Sequence, residues 1–241
     1  MPRVRKRKLR DEVLRRWPEL EPAIDELIET GKVSVDGLPR TNLRTAVSEG
    51  ASIRVERTPR RFRGYEKLSQ ALDLLGISAE GVIAIDAGAA AGGFTQVLLD
   101  RGAARVYAVE VGYGQLLGSL RQDPRVVNLE RTNVGALTTA LVPDPISAVT
   151  LDLGYLALAK GVPQLNAVTF APGAWLAALV KPMSELGTGE LPLDDGAVDD
   201  ATERAAQAIA GAGWRVVRTI RSPVRGTHGA IEAFVHGVRD G

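Results

Sequence analysis

Residues 84–116, AIDAGAAAGGFTQVLLDRGAARVYAVEVGYGQL, decide how the chain is built. Two apolar runs, near 82–86 and 105–110, end in acids, Asp86 and Glu110. Between them the chain narrows to Gly88-Ala-Ala-Ala-Gly92-Gly93, then takes up a spacing that predicts a helix over 93–101. Strand, tight turn, helix and strand make one parallel βαβ unit. Ligands of open α/β sheets bind outside the carboxyl ends of the strands, where Asp86 and the glycine turn fall. A dinucleotide site spaces its glycines G-x-G-x-x-G around a pyrophosphate. The spacing here is G-x-x-x-G-G, which allows close backbone approach to a ligand without a phosphate cradle.

Outward from this unit the pattern repeats. Further strands are expected near 125–129, 148–152, 175–180, 214–221 and 231–237, with helices over 67–75, 114–122 and 199–212. Near-continuous apolar strands alternating with helices predict a mostly parallel sheet covered on both faces. The last two strands are joined only by SPVRGTHGA, too short for a helical crossover, so they should pair antiparallel. The expected class is α/β. A seven-stranded Rossmann-like sheet of this kind resembles that of the S-adenosylmethionine-dependent methyltransferases, and a small α+β domain precedes it. In that setting Glu110, ending the second strand, can accept hydrogen bonds from both ribose hydroxyls of the cofactor.

With 241 residues, 45% of them hydrophobic, the chain can bury the core of a mid-sized domain beside a small one. It has no cysteine and two histidines, His228 and His236, so neither disulfides nor a thiolate or His-rich metal site is expected. The opening MPRVRKRKLR lacks the apolar core of a signal peptide. The longest apolar stretch, around Ala167 to Val180, is broken by Pro172 and Gly173 and is too short to span a bilayer. A cytoplasmic protein without a membrane partner is the expectation. Residues 1–67 carry 17 Lys and Arg against 11 Asp and Glu, whereas the remainder carries 13 against 18. A basic module on an acidic body points to a polyanion partner.

Three segments are expected: a small domain over 1–56, a basic linker over 57–66, and the large domain over 67–241. The first holds a helix from Leu9 to Trp17, then AIDELIETGKVSVDG, which reads as a helix closed by Gly31, a short strand and an Asp36-Gly37 turn. The linker, RTPRRFRGYE, sets Arg57, Arg60, Arg61 and Arg63 around Phe62 and Tyr65, a composition able to follow a phosphate backbone.

The stretch DAGAAAGGFTQVLLDRGAARVYAVEVGYGQLLGSLRQDPRVVNLERTNV resembles the TlyA family, called hemolysins and known as ribosomal RNA 2′-O-methyltransferases. That family's pattern runs D-x-G-A-S-T-G-G-F-T, V-Y-A-V-D-V-G-Y-G-Q-L, L-R-x-D-x-R-V and E-R-T-N. The resemblance covers about residues 60 to 236; likeness to FtsJ-type RNA methyltransferases is looser. It departs at Ala90-Ala91 for Ser-Thr and at Glu110 for Asp.

The resemblance implies a Lys-Asp-Lys-Glu tetrad. Lys67 stands in RGYEKLSQAL for the family's R-G-G-x-K-L-x-x-A-L, and Asp152 in DLGYLAL for D-V-S-F-I-S-L. Lys181 stands in LVKPMSE for L-V-K-P-Q-F-E, and Glu232 in SPVRGTHGAIEAF for S-P-x-x-G-x-x-G-N-x-E-F, with one residue inserted before Phe234. A lysine can take a proton from a ribose hydroxyl only if burial or a second cation lowers its pKa. Lys67 and Lys181 are therefore the expected proton-handling pair, positioned by Asp152 and Glu232. The implied cofactor is S-adenosyl-L-methionine, with Asp86, Gly88, Ala89, Gly92, Gly93, Phe94, Glu110, Asn133 and Asp152 around it.

The family's N-terminal RNA-binding domain is echoed in KLRDEVLRRWPELEPAIDELIETGKVSVDG. Its Ser-Arg is replaced by Glu21-Pro22, and the helix expected to face RNA bears Asp25, Glu26 and Glu29. Carboxylates facing phosphate repel it. RNA contacts are therefore expected from the basic start and linker, namely Arg5, Lys6, Arg60, Arg61 and Arg63. Around the tetrad, Gly154-Tyr155, Met183-Ser184 and Gly229-Ala230 replace the family's Ser-Phe, Gln-Phe and Gly-Asn. The leading expectation is methylation of ribosomal RNA, with ribosomal RNA or a ribosomal subunit as partner. The alternatives are a paralogue acting on a small-molecule acceptor, or a non-catalytic RNA- or membrane-binding protein.

Overall fold

The computed structural model describes residues 6–21, 24–56, 63–154, 156–188 and 194–240, apart from the side chain at position 228. They divide into two units, one of Met1–Arg61 with Leu117–Gln122, the other of Phe62–Leu116 with Asp123–Gly241.

In the first unit, β1 (Lys6–Lys8) pairs with β4 (Ala46–Ser48), and β3 (Leu38–Arg40), β2 (Val33–Val35) and β5 (Ile53–Val55) form a three-stranded sheet. Helices α1 (Leu9–Arg16) and α2 (Ile24–Glu29) supply Leu9, Val13, Ile24, Leu27 and Ile28 to a core completed by Val33, Val35 and Val47. The spacing of those residues, i to i+4 in α1 and i to i+3 and i+4 in α2, is what gives each helix one apolar face. Gly31, at φ 71°, ends α2, with Lys32 N–H reaching Leu27 O and Gly31 N–H reaching Ile28 O, both at 2.8 Å. The Glu12 carboxylate is ringed by arginines: Arg15 donates to it at 2.7 Å, Arg16 at 2.9 Å, and Arg7 lies 3.6 Å away. The hydrogen bond from Arg15 leads in holding its pKa down to about 2.

The second unit is built on a seven-stranded sheet. Its strands are β6 (Ile83–Ala87), β7 (Arg105–Glu110), β8 (Val126–Glu130), β9 (Ile146–Leu151), β10 (Phe170–Val180), β11 (Arg215–Arg221) and β12 (Ala233–Val238). Their order is β11-β12-β10-β9-β6-β7-β8. β8 to β10 run parallel, and β12 inserts antiparallel between β10 and β11. One face of the sheet, carrying Ile85, Val109, Val149, Leu176 and Val235, packs with Ala201, Ala205 and Ile209 of α8 (Asp195–Gly211). On the other face lie α3 (Arg63–Leu75) and α4 (Gly93–Asp100), the rings of Phe94 and Phe234 stacking at 6.2 Å. Helices α6 (Leu158–Gly161) and α7 (Pro182–Leu186) are single turns that follow β9 and β10.

The expected strands are all present, with ends moved by a few residues. Three helices differ more. α3 starts at Arg63, so 63–66 of the expected linker are its first turn, while 57–62 lie outside the described residues. α8 starts at Asp195 because Asp194 caps it, accepting from Ala197 N–H at 2.7 Å. The helix expected over 114–122 is only α5 (Gly118–Gln122). The residues ahead of it are not helical; there Glu130 accepts from the N–H groups of Gln115 and Leu116, at 3.0 and 3.3 Å.

Candidate active site

The sheet order reverses at β6, which lies between β7 and β9. The strand ends at such a reversal diverge and open a crevice. Gly88 follows β6, Glu110 ends β7, Asp152 follows β9 and Lys181 follows β10, so all four reach the same edge. Glu232 arrives there too because β12 runs the opposite way and starts at Ala233. Lys67 enters from the second turn of α3.

A cleft of about 250 Å³ at this edge is lined by Arg63, Gly64, Gly88, Ala89, Ala90, Ala91, Gly93, Phe94 and Asp152. Its floor exists because side chains are missing. A Cβ on Gly88, at φ 85°, would stand 2.4 Å from the carbonyl oxygen of Asp152. One on Gly93 would stand 2.9 Å from the backbone nitrogen of Tyr65. Gly92, at φ 97°, precedes α4 in the left-handed conformation. The turn is held from β7: Glu110 accepts from Ala90 N–H at 3.0 Å and from Gly112 N–H at 2.8 Å. Ala90 keeps φ at 46°, unusual without glycine.

Two of the expected cofactor contacts have partners within the protein. Asp86 is fully buried and is not among the residues lining the cleft, accepting from Thr95 Oγ1 at 2.6 Å and Thr150 Oγ1 at 3.0 Å. It thereby ties β6 to α4 and β9, and burial pushes its pKa up to about 6. Asn133 lies exposed after β8, its side-chain oxygen accepting from Gly135 N–H at 2.9 Å.

The tetrad residues form two ion pairs. Lys67 donates to Glu232 at 2.5 Å, both residues 5% exposed. Lys181 pairs with Asp152, each about a quarter exposed. Burial pushes the Glu232 carboxyl up against the opposing pull of Lys67, and Asp152 and Lys181 are close enough to act on it as well. Asp152 is seated by its N–H, which donates to Ala87 O at 2.9 Å. Lys181 stands between β10 and α7, where Pro182 opens the helix. The Glu232 carboxylate occupies space that a Cβ on Gly226 would take, 2.3 Å away.

Several supporting residues escaped the sequence reading. Thr95 and Thr150 carry no signal that distinguishes them from core threonines. Glu185 was visible as the closing acid of LVKPMSE: it accepts from Leu158 N–H at 2.7 Å, linking the turn after Lys181 to the one after Asp152. Among the expected RNA contacts, Lys6 is exposed on β1 and Arg63 lines the cleft, while Arg5, Arg60 and Arg61 lie outside the described residues. The acidic face expected of α2 is partly satisfied internally. Asp25 is bound by Arg10 at 2.6 Å, and Glu29 accepts from Gly118 N–H at 2.9 Å. Among the described residues no helix is long and apolar enough to cross a membrane.

Residues 60–239 match the model of the FtsJ-like methyltransferases. The 16S/23S rRNA (cytidine-2′-O)-methyltransferase TlyA of Mycobacterium tuberculosis is 43% identical over 87% of this chain and 81% of its own. Hemolysin A of Brachyspira hyodysenteriae is 32% identical over 91% of this chain and 94% of its own. A solved structure from Streptococcus thermophilus, described as a candidate hemolysin, superposes with a TM-score of 0.71 at 28% identity, covering 98% of this chain and 90% of that one.

Proposed function

The chain belongs to the FtsJ-like methyltransferases and, within them, to the TlyA family, and from that premise we propose that it methylates a ribose 2′-hydroxyl of ribosomal RNA. It is an S-adenosylmethionine-dependent methyltransferase. The acceptor is read from the M. tuberculosis relative, whose name specifies cytidine 2′-oxygens of 16S and 23S RNA. We assign residues 1–56 to RNA binding, 57–66 to a basic connection and 67–241 to the methyltransferase domain.

The single observation that carries the chemistry is the meeting of Lys67–Glu232 and Lys181–Asp152 beside a cleft floored by glycine. The cleft fits the cofactor's amino-acid end, since Gly88 and Gly93 leave backbone where side chains would stand. Glu110 is the carboxylate for its ribose, and Ala89 and Phe94 line the wall. When bound, S-adenosylmethionine supplies a methyl group on a positively charged sulfur. The protein's part is to hold the acceptor oxygen in line and to receive its proton as the oxygen–carbon bond forms. Lys67 and Lys181 are the proton-handling groups. Glu232 and Asp152 fix where their amino groups point; the lysine that takes the hydroxyl proton does so as the neutral amine and becomes the ammonium as the methyl leaves the sulfur.

The test is methyl transfer from labelled S-adenosylmethionine to ribosomal subunits isolated from cells lacking this gene. Wild type is expected to label a ribose in RNA, and Asp152→Ala to bind cofactor without labelling. Cofactor binding with no label in RNA would overturn the RNA assignment and move the acceptor to a small molecule.

A further inference from the structure

The glycine-floored cleft of the large unit is lined by a cation that the methyl-transfer chemistry does not use. Arg63, the first residue of α3, is exposed and borders the cleft with Gly64, Gly88, Gly93 and Phe94. Lys67 and Lys181 are each taken by a carboxylate, Glu232 and Asp152. The Arg63 guanidinium has no hydrogen bond, ion pair or ring contact with another described residue. Helix stability does not account for it either. A cation on the first residue of a helix faces the positive end of the helix dipole, an unfavourable place.

The surroundings of Arg63 favour an anion. Gly64 and Gly93 let the first turns of α3 and α4 meet: a Cβ on Gly93 would stand 3.2 Å from the Cα of Gly64. α4 opens after Gly92, which has no side chain to cap it. The first N–H groups of a helix find no partner inside it. This side of the cleft therefore presents donors and positive charge. Among the described residues of the lining, Asp152 is the only acid, and Lys181 already answers its charge.

We propose that Arg63 holds the carboxylate at the amino-acid end of S-adenosylmethionine, and not an RNA phosphate as the basic linker by itself suggests. The inference rests on the reading of this cleft as the cofactor site and deepens it, by naming the residue that recognises that end. A guanidinium presents parallel N–H donors in one plane, which match the two oxygens of a carboxylate. The same end of the cofactor carries an ammonium, and Asp152 offers it an acceptor elsewhere in the lining. Arg63 and Asp152 thus set which way the methionyl chain lies, carboxylate towards α3 and ammonium towards the end of β9. The adenosine part carries no charge at neutral pH, so this contact separates the cofactor from adenosine thioethers that lack the amino-acid end.

The experiment is calorimetry on the full chain with S-adenosylmethionine and with decarboxylated S-adenosylmethionine, which keeps the ammonium and the sulfonium. Wild type is expected to bind the decarboxylated compound about tenfold more weakly. Arg63→Gln should weaken S-adenosylmethionine about tenfold and leave the decarboxylated compound unchanged. Arg63→Lys, which keeps the charge without the fork, should recover part of the loss. Position 63 is exposed, so both variants should melt as wild type does. Unchanged S-adenosylmethionine affinity in Arg63→Gln would overturn the contact. An equal loss for both compounds would overturn it too, since that is what a structural role gives. Failure of wild type to bind either compound would overturn the cofactor site and this contact together, whereas binding without label in RNA would overturn the acceptor alone.

Discussion

Lys67 and Glu232 stand 165 positions apart in the chain and meet at 2.5 Å in the interior of the large unit. Removing one partner strands the other charge, so Glu232→Ala is expected to cost about 3–5 kcal/mol in urea denaturation. Lys67→Met combined with Glu232→Leu should recover most of that stability and no methyl transfer. Recovery of transfer in the double variant would show that the pair is structural alone.

Asp86 gives a pH signature. Its carboxyl is raised from 3.8 to about 6 by burial, so the folded state holds the proton more tightly than the unfolded chain. The contribution is therefore fully present below pH 4 and is lost as pH rises towards 6, about 3 kcal/mol in all. Asp86→Asn, which can still bond both threonine hydroxyls, should lack this loss. The stability difference between variant and wild type, measured from pH 4 to 7, should move in the variant's favour as pH increases. A flat difference would show that Asp86 is ionised throughout.

Gly88 and Gly76 both have positive φ, at 85° and 69°, but differ in what a side chain would meet. Gly76→Ala meets nothing within 4 Å and should cost only the left-handed penalty, about 1–2 kcal/mol, with cofactor affinity unchanged. Gly88→Ala drives its Cβ towards the Asp152 carbonyl oxygen. It is expected to abolish S-adenosylmethionine binding in calorimetry, even under conditions where the protein stays folded. Normal cofactor affinity in Gly88→Ala would place the cofactor elsewhere.

Glu185 clasps the turn after Lys181 to the start of α6, taking the Leu158 N–H that Ala157 leaves uncapped. Glu185→Ala should lower kcat about tenfold or more through misplacement of Asp152 and Lys181, with S-adenosylmethionine affinity and melting temperature close to wild type. Glu185→Gln keeps an accepting oxygen and should restore kcat. Equal losses in both variants would mean that charge, and not the clasp, is what matters.

The fold was legible because it is written in local periods. The strand ends were misjudged by a few residues, since apolar runs stop where burial stops and not where hydrogen bonding does. The helix over 114–122 shrank to its second half, and ahead of it Glu130, on the next strand, binds the amides of Gln115 and Leu116, a long-range contact that no local pattern carries. The same holds at the site. Asp86 is expected at the cofactor from its place at a strand end, and its register opposite Thr150, which no local pattern shows, makes it a buried tie between strands as well. Of the acids on α2, Asp25 is paired with Arg10, a contact between residues 15 apart that the sequence pattern does not carry.

By itself, then, the sequence determined the parallel sheet, the glycine turn after β6 and the family motifs, all properties of short segments with 2- or 3.6-residue periods. Tertiary structure alone decided which carboxylate meets which lysine and which acids are consumed by neighbours. Those outcomes depend on distances between residues far apart in the chain, and on burial, which sets the strength of every charge interaction and has no signature in the order of residues.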